Sequence, residues 1–497
     1  MMTETAQFRP RARAPRGFRD RRGPALAIER RILGAVAEVF ESFGFEALET
    51  AGFEYADALG KFLPDDDRPN VGVFSLRDDD EQWLALRYDL TAPLARFVAE
   101  NREGLPRPFR RYAFGPVWRN EKSGPGRDRQ FTQCDADTIG SDRPEADAEM
   151  IAMAAAAYAA AGLPADAVVL KANSRKLLNG LLTAAGVVAE TQRLAVLRAV
   201  DKLDRLGRDG VAALLGGGRL DESGAFTVGA GLDVQATDSV LAFVGARRES
   251  RAATLDAIQR VIGGSAEGEA GLEELAAIGV ALVALGVGEK AAVFDPSVVR
   301  GLEYYTGAVF EAELTAPIAG GRGEPLIFGS IGGGGRYDDL VSRFTGERTP
   351  ATGFSVGVSR LAAAIEAGGG PGGREASRGP VVVIAFDRAR MANYFTLAGE
   401  LRAAGIPAEV YLGAAGLRAQ MKYADRRLAP AAVMLGDDEI AAGTVTIKDL
   451  DLGRALAAGV EDHGAWRAER PGQVTVARGD FVGAVAQIAG RTACPLS

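Results

Sequence analysis

Two arginines flank a Gly/Pro turn within residues 111–140, which read RYAFGPVWRNEKSGPGRDRQFTQCDADTIG. Arg119 precedes the turn and Arg127 follows it. Alternate residues of a strand share a face. The strand predicted after the turn therefore presents an aromatic ring, an amide and two carboxylates together: Phe131, Gln133, Asp135 and Asp137. Carboxylates and amides can bind an ammonium group and a polar ring, and guanidinium groups bind phosphate oxygens. The stretch predicts a site for a zwitterion beside a polyphosphate, with a solvated amphipathic hairpin as the alternative.

Histidine and cysteine are scarce in this chain, which argues against several kinds of catalysis. His463 is the single histidine, so Ser/His/Asp catalysis, histidine acid–base chemistry and histidine-rich metal sites are not expected. Cys134 and Cys494 are too few for a disulfide framework and favour a reducing compartment. The chemistry is expected to depend on carboxylates, arginines, hydroxyls or a bound ion.

The bulk composition is that of an ordinary globular protein of about three domains. Hydrophobic residues make up 47% of the 497 residues and charged residues 25%. No uninterrupted apolar run is long enough for a transmembrane helix, so we expect a cytoplasmic protein without a membrane partner. The net charge of −8 means that any nucleic acid must bind through local basic patches.

Several elements are needed to position the polar residues. Apolar spacing predicts a helix over 25–43, and strands are predicted at Val298–Tyr305 and Ala308–Leu314. Residues 164–292 are interpreted as an inserted, mainly helical module with a flexible Gly/Glu stretch at 263–271. The glycine-dense segment SIGGGGRYD lacks the flanking pattern of a phosphate loop. Its glycines are predicted to let a ligand approach the backbone of an antiparallel sheet.

Five segments in a fixed order carry a resemblance to a known family. They are RYDLTAP (Arg87–Pro93), the hairpin with Arg119, Glu121, Arg127 and Phe131, VVRGLEYYTGAVFE (Val298–Glu311), GGGGRYDDL (Gly332–Leu340) and GFSVGVSRL (Gly353–Leu361). Together they resemble the class II aminoacyl-tRNA synthetases, and within them the histidyl-tRNA synthetase family. A later segment, GDDEIAAGTVTIKDL (Gly436–Leu450), resembles the anticodon-binding domain of that family.

The resemblance implies an α+β fold: an antiparallel-sheet class II synthetase catalytic core with a mainly helical insertion and a C-terminal α/β anticodon-binding-like domain. The implied parts are a catalytic core in two pieces (1–163 and 293–366), the insertion (164–292), a linker (367–378), the α/β domain (379–460) and an extension without an assigned role (461–497). The resemblance also implies a homodimer.

The implied reaction is activation of histidine by ATP, supplied with Mg²⁺ as a substrate complex. The attacking carboxylate is already ionised, so positioning and positive charge supply the acceleration, and no general base is needed. By resemblance, Arg119 holds the α-phosphate, and Arg127 and Arg360 hold the outer phosphates. Phe131 and Arg360 sandwich the adenine ring, with Glu121 near its amino edge. Arg300 lies between the substrate carboxylate and the α-phosphate, and no metal site is predicted from protein side chains.

The resemblance also implies a set of residues for the amino acid. Asp89, Thr91 and Gln133 bind the ammonium group. Asp137 and Tyr305 bind the imidazole, whose two nitrogens both need partners. Tyr304 completes the histidine-binding set with Arg300, and a structural role for Tyr304 is the alternative.

The second implied step is transfer of histidine to its tRNA. RNA contacts are expected from the loop Lys122–Pro125 and from a basic cluster in the α/β domain: Arg418, Gln420, Lys422 and Arg426. A solvated helix face is the alternative for that cluster. The main rival function is a non-catalytic class II paralogue such as the regulatory subunit of ATP phosphoribosyltransferase. By family pattern that subunit lacks the anticodon-like domain and the arginine at position 300, and this chain has both.

Overall fold

The computed structural model describes most of the chain in two compact units. The described residues are 10–59, 72–122, 128–164, 166–220, 224–262, 264–299, 305–315, 318–319, 325–326, 329–367, 378–457 and 472–490. The first unit comprises Met1–Arg21 with Glu29–Gly368, and the second comprises Arg22–Ile28 with Gly369–Ser497. Among the described residues, no helix combines the length and the apolar character needed to cross a membrane.

The strands of the first unit vary from two to ten residues: β1 (Glu46–Ala47), β2 (Phe53–Tyr55), β3 (Ser75–Arg77), β4 (Trp83–Leu86), β5 (Phe109–Trp118), β6 (Gln130–Ile139), β7 (Val168–Ser174), β8 (Gly218–Leu220), β9 (Phe226–Val228), β10 (Ala292–Phe294), β11 (Ala308–Leu314), β12 (Ile318–Ala319), β13 (Pro325–Leu326), β14 (Ser330–Arg336) and β15 (Ala351–Val356). Those of the second unit are β16 (Val381–Val383), β17 (Ala408–Val410), β18 (Ala431–Met434), β19 (Thr444–Asp449) and β20 (Gln473–Ala477).

The helices that precede the second unit's first strand are α1 (Pro24–Ser42), α2 (Thr91–Glu100), α3 (Pro144–Ala160), α4 (Arg175–Ala184), α5 (Glu190–Val200), α6 (Leu203–Leu215), α7 (Val234–Val244), α8 (Arg251–Gln259), α9 (Ala266–Ala284), α10 (Ser342–Thr345) and α11 (Val358–Ala367). The later ones are α12 (Met391–Ala403), α13 (Leu417–Arg426), α14 (Asp437–Ala442), α15 (Leu450–Ala457) and α16 (Phe481–Ala489).

An eight-stranded sheet organises the first unit, in the order β1-β5-β6-β15-β14-β11-β7-β10. From β5 to β7 in this order, each strand runs antiparallel to the next. The two edge strands are parallel to their neighbours, β1 to β5 and β10 to β7. The predicted hairpin is confirmed: β5 and β6 pair along ten residues, from Phe109 opposite Ile139 to Trp118 opposite Gln130. This long ladder fixes which side chains share a face of the sheet.

One face of the sheet forms the hydrophobic core. Cys134 and Ala136 on β6 are fully buried, and Phe354 on β15 is only 2% exposed. The Tyr158 ring on α3 meets the Phe354 ring edge-on at 6.2 Å, and Tyr158 donates a hydrogen bond to the Ile331 carbonyl at 3.1 Å. The opposite face therefore carries the alternate residues of β6, which are the polar ones.

The segment predicted as an inserted module contributes to the main sheet. Strand β7 lies within 164–292, yet it pairs with β11 and with β10, which begins at the last residue of that segment. The prediction of a flexible stretch at 263–271 is wrong from Ala266 onward, where α9 begins. The Ser265 hydroxyl caps this helix by accepting a hydrogen bond from Gly268 N at 3.0 Å. Short apolar strands and a capped, glycine-containing helix give weak local signals.

One predicted strand differs from the structure. Val298 and Val299 lie outside any strand, because the Asp295 side chain turns the chain after β10 by accepting hydrogen bonds from Ser297 N at 3.1 Å and Ser297 Oγ at 2.6 Å. The rest of the predicted strand, apart from Tyr305, lies outside the described residues.

The second unit is a small α/β domain, as predicted. Its five-stranded sheet has the order β17-β16-β18-β19-β20, parallel from β17 to β18 and antiparallel from β18 to β20. Apolar residues of α12 and α16, including Leu397, Leu401, Phe481 and Val485, pack against one side of the sheet.

Candidate active site

The polar face of the β5–β6 hairpin brings the predicted carboxylates and amide into one row. Gln133 lies opposite Gly115, Asp135 opposite Ala113 and Asp137 opposite Arg111. On the other side of β6, Asp135 pairs with Ser355 and Asp137 with Gly353. Directly opposed residues of antiparallel strands share a face. The row is therefore flanked by small side chains, apart from Arg111.

Asp137 has a hydrogen-bond partner on one oxygen and only an ion-pair contact on the other, among the described residues. Tyr337 donates to Oδ1 at 2.5 Å, and Arg111 Nη2 lies 2.8 Å from Oδ2, with neither charged side chain more than 3% exposed. That contact is an ion pair without good hydrogen-bond alignment, since Nη2 donates to the Leu90 carbonyl at 2.9 Å. Burial raises the pKa of Asp137, and Arg111 and Tyr337 partly offset this rise.

Asp135 is buried like Asp137 but is less completely bound. Burial, followed by repulsion from Asp137, raises the pKa of Asp135 to about 7, while the Arg111 charge and the neighbouring Ser355 hydroxyl act in the opposite direction. Its Oδ1 atom is buried and has no hydrogen-bond partner among the described residues. Gln133, the residue before it in the row, donates through Nε2 to Ser355 Oγ at 3.2 Å.

Two glycines clear the space around this row. A Cβ on Gly353 would lie 1.9 Å from Asp137 Oδ1, and a Cβ on Gly335 would lie 3.0 Å from Tyr305 Cδ1. The Tyr305 ring therefore lies close to the backbone of β14 at Gly335, and approach of a ligand to this backbone stays a prediction. Gly335, Gly353 and Asp137 lie on one rung of the sheet, and Tyr305 lies close to Gly335 of that rung.

Two of the three predicted ammonium-binding residues, Asp89 and Thr91, lie where α2 begins. Asp89 Oδ1 accepts hydrogen bonds from Thr91 N at 3.2 Å and from Ala92 N at 2.9 Å, so this carboxylate caps the helix. Burial raises the pKa of Asp89, and the two backbone hydrogen bonds and the charge of Arg119 lower it. The charge of Asp137 raises the pKa of Asp89 as well, so Asp89 interacts electrostatically with both Arg119 and Asp137.

Arg119 and Phe131 meet at the turn end of the hairpin. The guanidinium carbon of Arg119 lies 5.0 Å from the centre of the Phe131 ring, a cation–π distance. Arg119 Nε also donates to the Tyr88 carbonyl at 3.2 Å. The structure thus brings together the Arg119 cation, the Phe131 ring and the Asp89 carboxylate. Asp89 and Arg119 are 30 residues apart in the sequence.

The remaining predicted ATP-binding residues are less tightly arranged. Arg360 lies exposed on α11, where Nη1 donates to the Ser330 carbonyl at 2.8 Å. Glu121 is exposed, and its carbonyl accepts from Arg129 Nε at 3.0 Å. Three predicted site residues lie outside the described residues: Arg127, Arg300 and Tyr304.

Sequence reasoning missed Arg111 and Tyr337, the two groups that bind Asp137. Arg111 could have been found by counting back from the turn, because the hairpin register pairs it with Asp137. Tyr337 is 200 residues away in sequence, and no local pattern connects it with β6.

The predicted basic cluster of the α/β domain is only partly exposed. Arg418, Lys422 and Arg426 face solvent on α13. Gln420 is 3% exposed, and its side chain accepts from Ala385 N at 2.9 Å and donates to the Ala385 carbonyl at 2.7 Å. The expectation that Gln420 contacts RNA is wrong, because its amide hydrogen-bonds the chain that follows β16.

Comparison with known proteins agrees with the arrangement of the sheet and the order of the five segments. A family model described as histidyl-tRNA synthetase matches residues 17–361, and a model described as an anticodon binding domain matches residues 380–485. The chain belongs to the histidyl-tRNA synthetase family. The family indicated by the sequence segments is thereby confirmed, as is the α+β class II fold with its anticodon-binding domain.

Individual relatives of the family cover nearly the whole chain. The histidine–tRNA ligase of Caulobacter vibrioides is 68% identical over 99% of this chain and 100% of its own length. That of Cereibacter sphaeroides is 53% identical over 98% of this chain and 99% of its own length. The crystal structure of histidyl-tRNA synthetase from Nostoc sp. PCC 7120 is 27% identical, with a TM-score of 0.71, and the match covers 96% of this chain and 100% of that one.

Proposed function

We propose that this chain activates L-histidine with ATP, forming histidyl-adenylate and pyrophosphate, and then transfers histidine to tRNA(His). Membership of the family and the cluster of Asp89, Arg119 and Phe131 beside the polar row of β6 support the proposal. The rival function as a regulatory subunit of ATP phosphoribosyltransferase is not favoured, because an anticodon binding domain matches residues 380–485.

The first step brings two anions together, and the arginines reduce their repulsion. In this proposal Arg119 holds the α-phosphate of the Mg²⁺–ATP substrate, and Phe131 and Arg360 stack on the adenine, with Glu121 at its amino edge. Arg127 and Arg360 bind the outer phosphates. Arg300 lies between the histidine carboxylate and the α-phosphate, where charge develops in the transition state.

The histidine lies along the polar row of β6 in this proposal. Asp89, Thr91 and Gln133 bind its ammonium group; Asp89 uses the carboxylate oxygen that does not cap α2. Asp137 and Tyr305 bind the imidazole. Arg300 and Tyr304 complete the pocket on the substrate's carboxylate side.

The transfer step needs the tRNA acceptor end at the same site. We assign acceptor contacts to the loop Lys122–Pro125 and anticodon-side contacts to the exposed residues Arg418, Lys422 and Arg426. The adenylate phosphate accepts the proton of the attacking ribose hydroxyl. A cytoplasmic homodimer is part of the proposal, as is a catalytic core formed from 1–163 and 293–366.

Histidine-dependent exchange of pyrophosphate into ATP tests the first step directly. We expect exchange with histidine and background rates with the other amino acids. Arg300→Ala is expected to leave the fold and ATP binding intact and to abolish exchange. Near-normal exchange by that variant, or exchange driven by a different amino acid in the unaltered chain, would refute the proposal.

A further inference from the structure

The segment that precedes helix α1 is strongly basic, although the whole chain has a net charge of −8. This basic arm, residues 10–21, contains five arginines and a single acidic residue, Asp20. The arm forms neither helix nor strand, and most of its side chains are exposed. A protein of negative net charge binds nucleic acid through local basic patches, and the basic arm is such a patch.

The second half of the basic arm is attached to the chain where β6 begins. Arg129 N donates a hydrogen bond to the Gly17 carbonyl at 2.8 Å. Arg19 Nη2 forms an ion pair with Asp128 Oδ2 at 2.9 Å. One backbone contact and one side-chain contact therefore join the arm to the two residues that precede β6.

An aromatic contact and a second ion pair strengthen this attachment. The ring centres of Phe18 and Phe74 are 5.6 Å apart, and the guanidinium carbon of Arg129 lies 5.9 Å from the centre of the Phe74 ring. Arg21 forms an ion pair with Glu29 of α1, which is only 5% exposed. The basic arm therefore has a defined place beside the hairpin, and Arg19 and Arg21 serve to hold it there.

The first half of the basic arm keeps its charges available. Arg11, Arg13 and Arg16 are exposed, and none of them has an acidic partner among the described residues. Cations held close together along a chain repel one another, and a polyanion would relieve that repulsion. Guanidinium groups match phosphate oxygens in charge and in geometry. The observations thus favour a phosphate-rich partner.

We propose that the basic arm binds the phosphate backbone of tRNA beside its acceptor end, through Arg11, Arg13 and Arg16. This inference depends on the proposed function, which assigns acceptor contacts to the loop Lys122–Pro125. Asp128, to which the arm is attached, follows that loop by three residues. Three residues of chain span at most about 11 Å, so an RNA bound at the loop lies close to the arm.

The composition of the basic arm favours RNA over a membrane surface. A basic segment that lies on a membrane uses apolar side chains as well as charge. Phe18 is the only large apolar residue of the arm, and its ring packs against Phe74. Phosphate contacts position an RNA without reading its sequence. The arm is therefore expected to contribute affinity for tRNA and no discrimination among tRNAs.

Direct binding of tRNA(His) at a series of salt concentrations tests the proposal. Arg13→Ala combined with Arg16→Ala should raise Kd at least fivefold at about 50 mM salt, and should make the slope of log Kd against log salt shallower by about one to two units. The matched control is Arg107→Ala combined with Arg143→Ala, which removes two exposed arginines at the other end of the hairpin. The control should change neither Kd nor the slope.

Two further measurements separate a phosphate contact from other effects. Arg13→Lys combined with Arg16→Lys keeps both charges and should retain the salt dependence of the unaltered chain. The alanine variant should bind tRNA(His) and a non-cognate tRNA more weakly by the same factor. Its histidine-dependent exchange of pyrophosphate into ATP should stay within twofold, which also shows that the variant is folded. Arg13→Gln combined with Arg16→Gln replaces the alanine variant if that variant does not fold.

Three outcomes would overturn the inference while leaving the proposed function in place. In the first, the alanine variant binds tRNA as tightly, and with the same salt dependence, as the control. In the second, the lysine variant loses as much affinity as the alanine variant. In the third, the alanine variant keeps its affinity for tRNA but loses binding of the unaltered chain to phosphatidylserine vesicles. Absence of histidine-dependent exchange in the unaltered chain would instead refute the proposed function.

Discussion

Arg111 Nη2 lies 2.8 Å from Asp137 Oδ2 across the β5–β6 hairpin, with the guanidinium completely shielded from solvent. Breaking a buried ion pair by removing one partner costs about 3–5 kcal/mol, because the other charge is left uncompensated. We therefore expect Asp137→Asn to lower the free energy of unfolding by about 3–5 kcal/mol, measured by urea denaturation.

A double variant distinguishes the contribution of the ion pair to stability from other effects of replacing Asp137. Replacing a whole buried ion pair by apolar residues is often close to neutral, so Arg111→Leu combined with Asp137→Leu should recover at least half of the stability lost in Asp137→Asn. The exposed substitution Asp142→Asn should stay within about 0.5 kcal/mol of the unaltered chain. Equal loss in the single and double variants would contradict an ion-pair role.

Gly353 should not tolerate even a methyl group. A Cβ there would lie 1.9 Å from Asp137 Oδ1 and 3.0 Å from the Ala136 carbonyl oxygen, distances that require backbone or carboxylate displacement. We expect Gly353→Ala to cost about 1–3 kcal/mol of stability and to reduce histidine-dependent exchange at least tenfold, by moving Asp137 and its neighbours.

Gly34 offers a glycine control in the interior of helix α1. A Cβ at Gly34 would meet no heavy atom within 4 Å, and alanine is a better helix former than glycine by about 1 kcal/mol. Gly34→Ala should leave exchange unchanged and raise the melting temperature slightly. Equal damage by both glycine substitutions would argue against the steric explanation.

The hairpin, helix α1 and strand β11 could be predicted from the sequence because their signals are local. Alternation along β6 and the turn at 119–129 are sufficient to place Gln133, Asp135 and Asp137 on one face. Their partners could not be predicted in the same way. Tyr337 reaches Asp137 only because β14 and β6 both pair with β15, a relationship that depends on the order of strands in the sheet.

Gln420 illustrates a second limit of the sequence. A basic helix containing an amide has the appearance of a solvated or RNA-binding face, and only the neighbouring sheet reveals which residues turn inward. Gln420 turns inward and makes three hydrogen bonds to the backbone, to Ala385 N, Ala385 O and Ala415 O. Arg418 and Lys422, two positions before and after it, remain exposed.

The contrast on α13 between the buried Gln420 and the exposed basic residues gives a prediction for the second unit. Gln420→Ala should lower the stability of the α/β domain by about 1–3 kcal/mol, since buried backbone groups lose their partners. Arg418→Ala combined with Lys422→Ala should leave stability nearly unchanged and raise KM for tRNA in aminoacylation, more strongly at low salt, where phosphate contacts contribute most to affinity. Neither change should alter histidine-dependent exchange, which requires no RNA. Unchanged KM for tRNA in the Arg418/Lys422 variant would favour the solvated helix face.

Asp135 should make the stability of the first unit depend on pH. Burial raises its pKa from 3.8 to about 7, so the folded state binds more protons than the unfolded state between these values. The free energy of unfolding therefore falls as the pH rises through that window, by up to roughly 4 kcal/mol from this one group. Asp89, Asp137 and Asp147 also have raised pKa values and act in the same direction, so only the difference between a variant and the unaltered chain isolates Asp135.

Asp135→Asn removes that ionisation and should be the more stable protein above neutral pH. Its advantage in free energy of unfolding should grow by about 2–3 kcal/mol between pH 5 and pH 7 and then level off, as measured by urea denaturation at a series of pH values. A difference that stays constant from pH 5 to pH 8 would show that Asp135 does not titrate in this range.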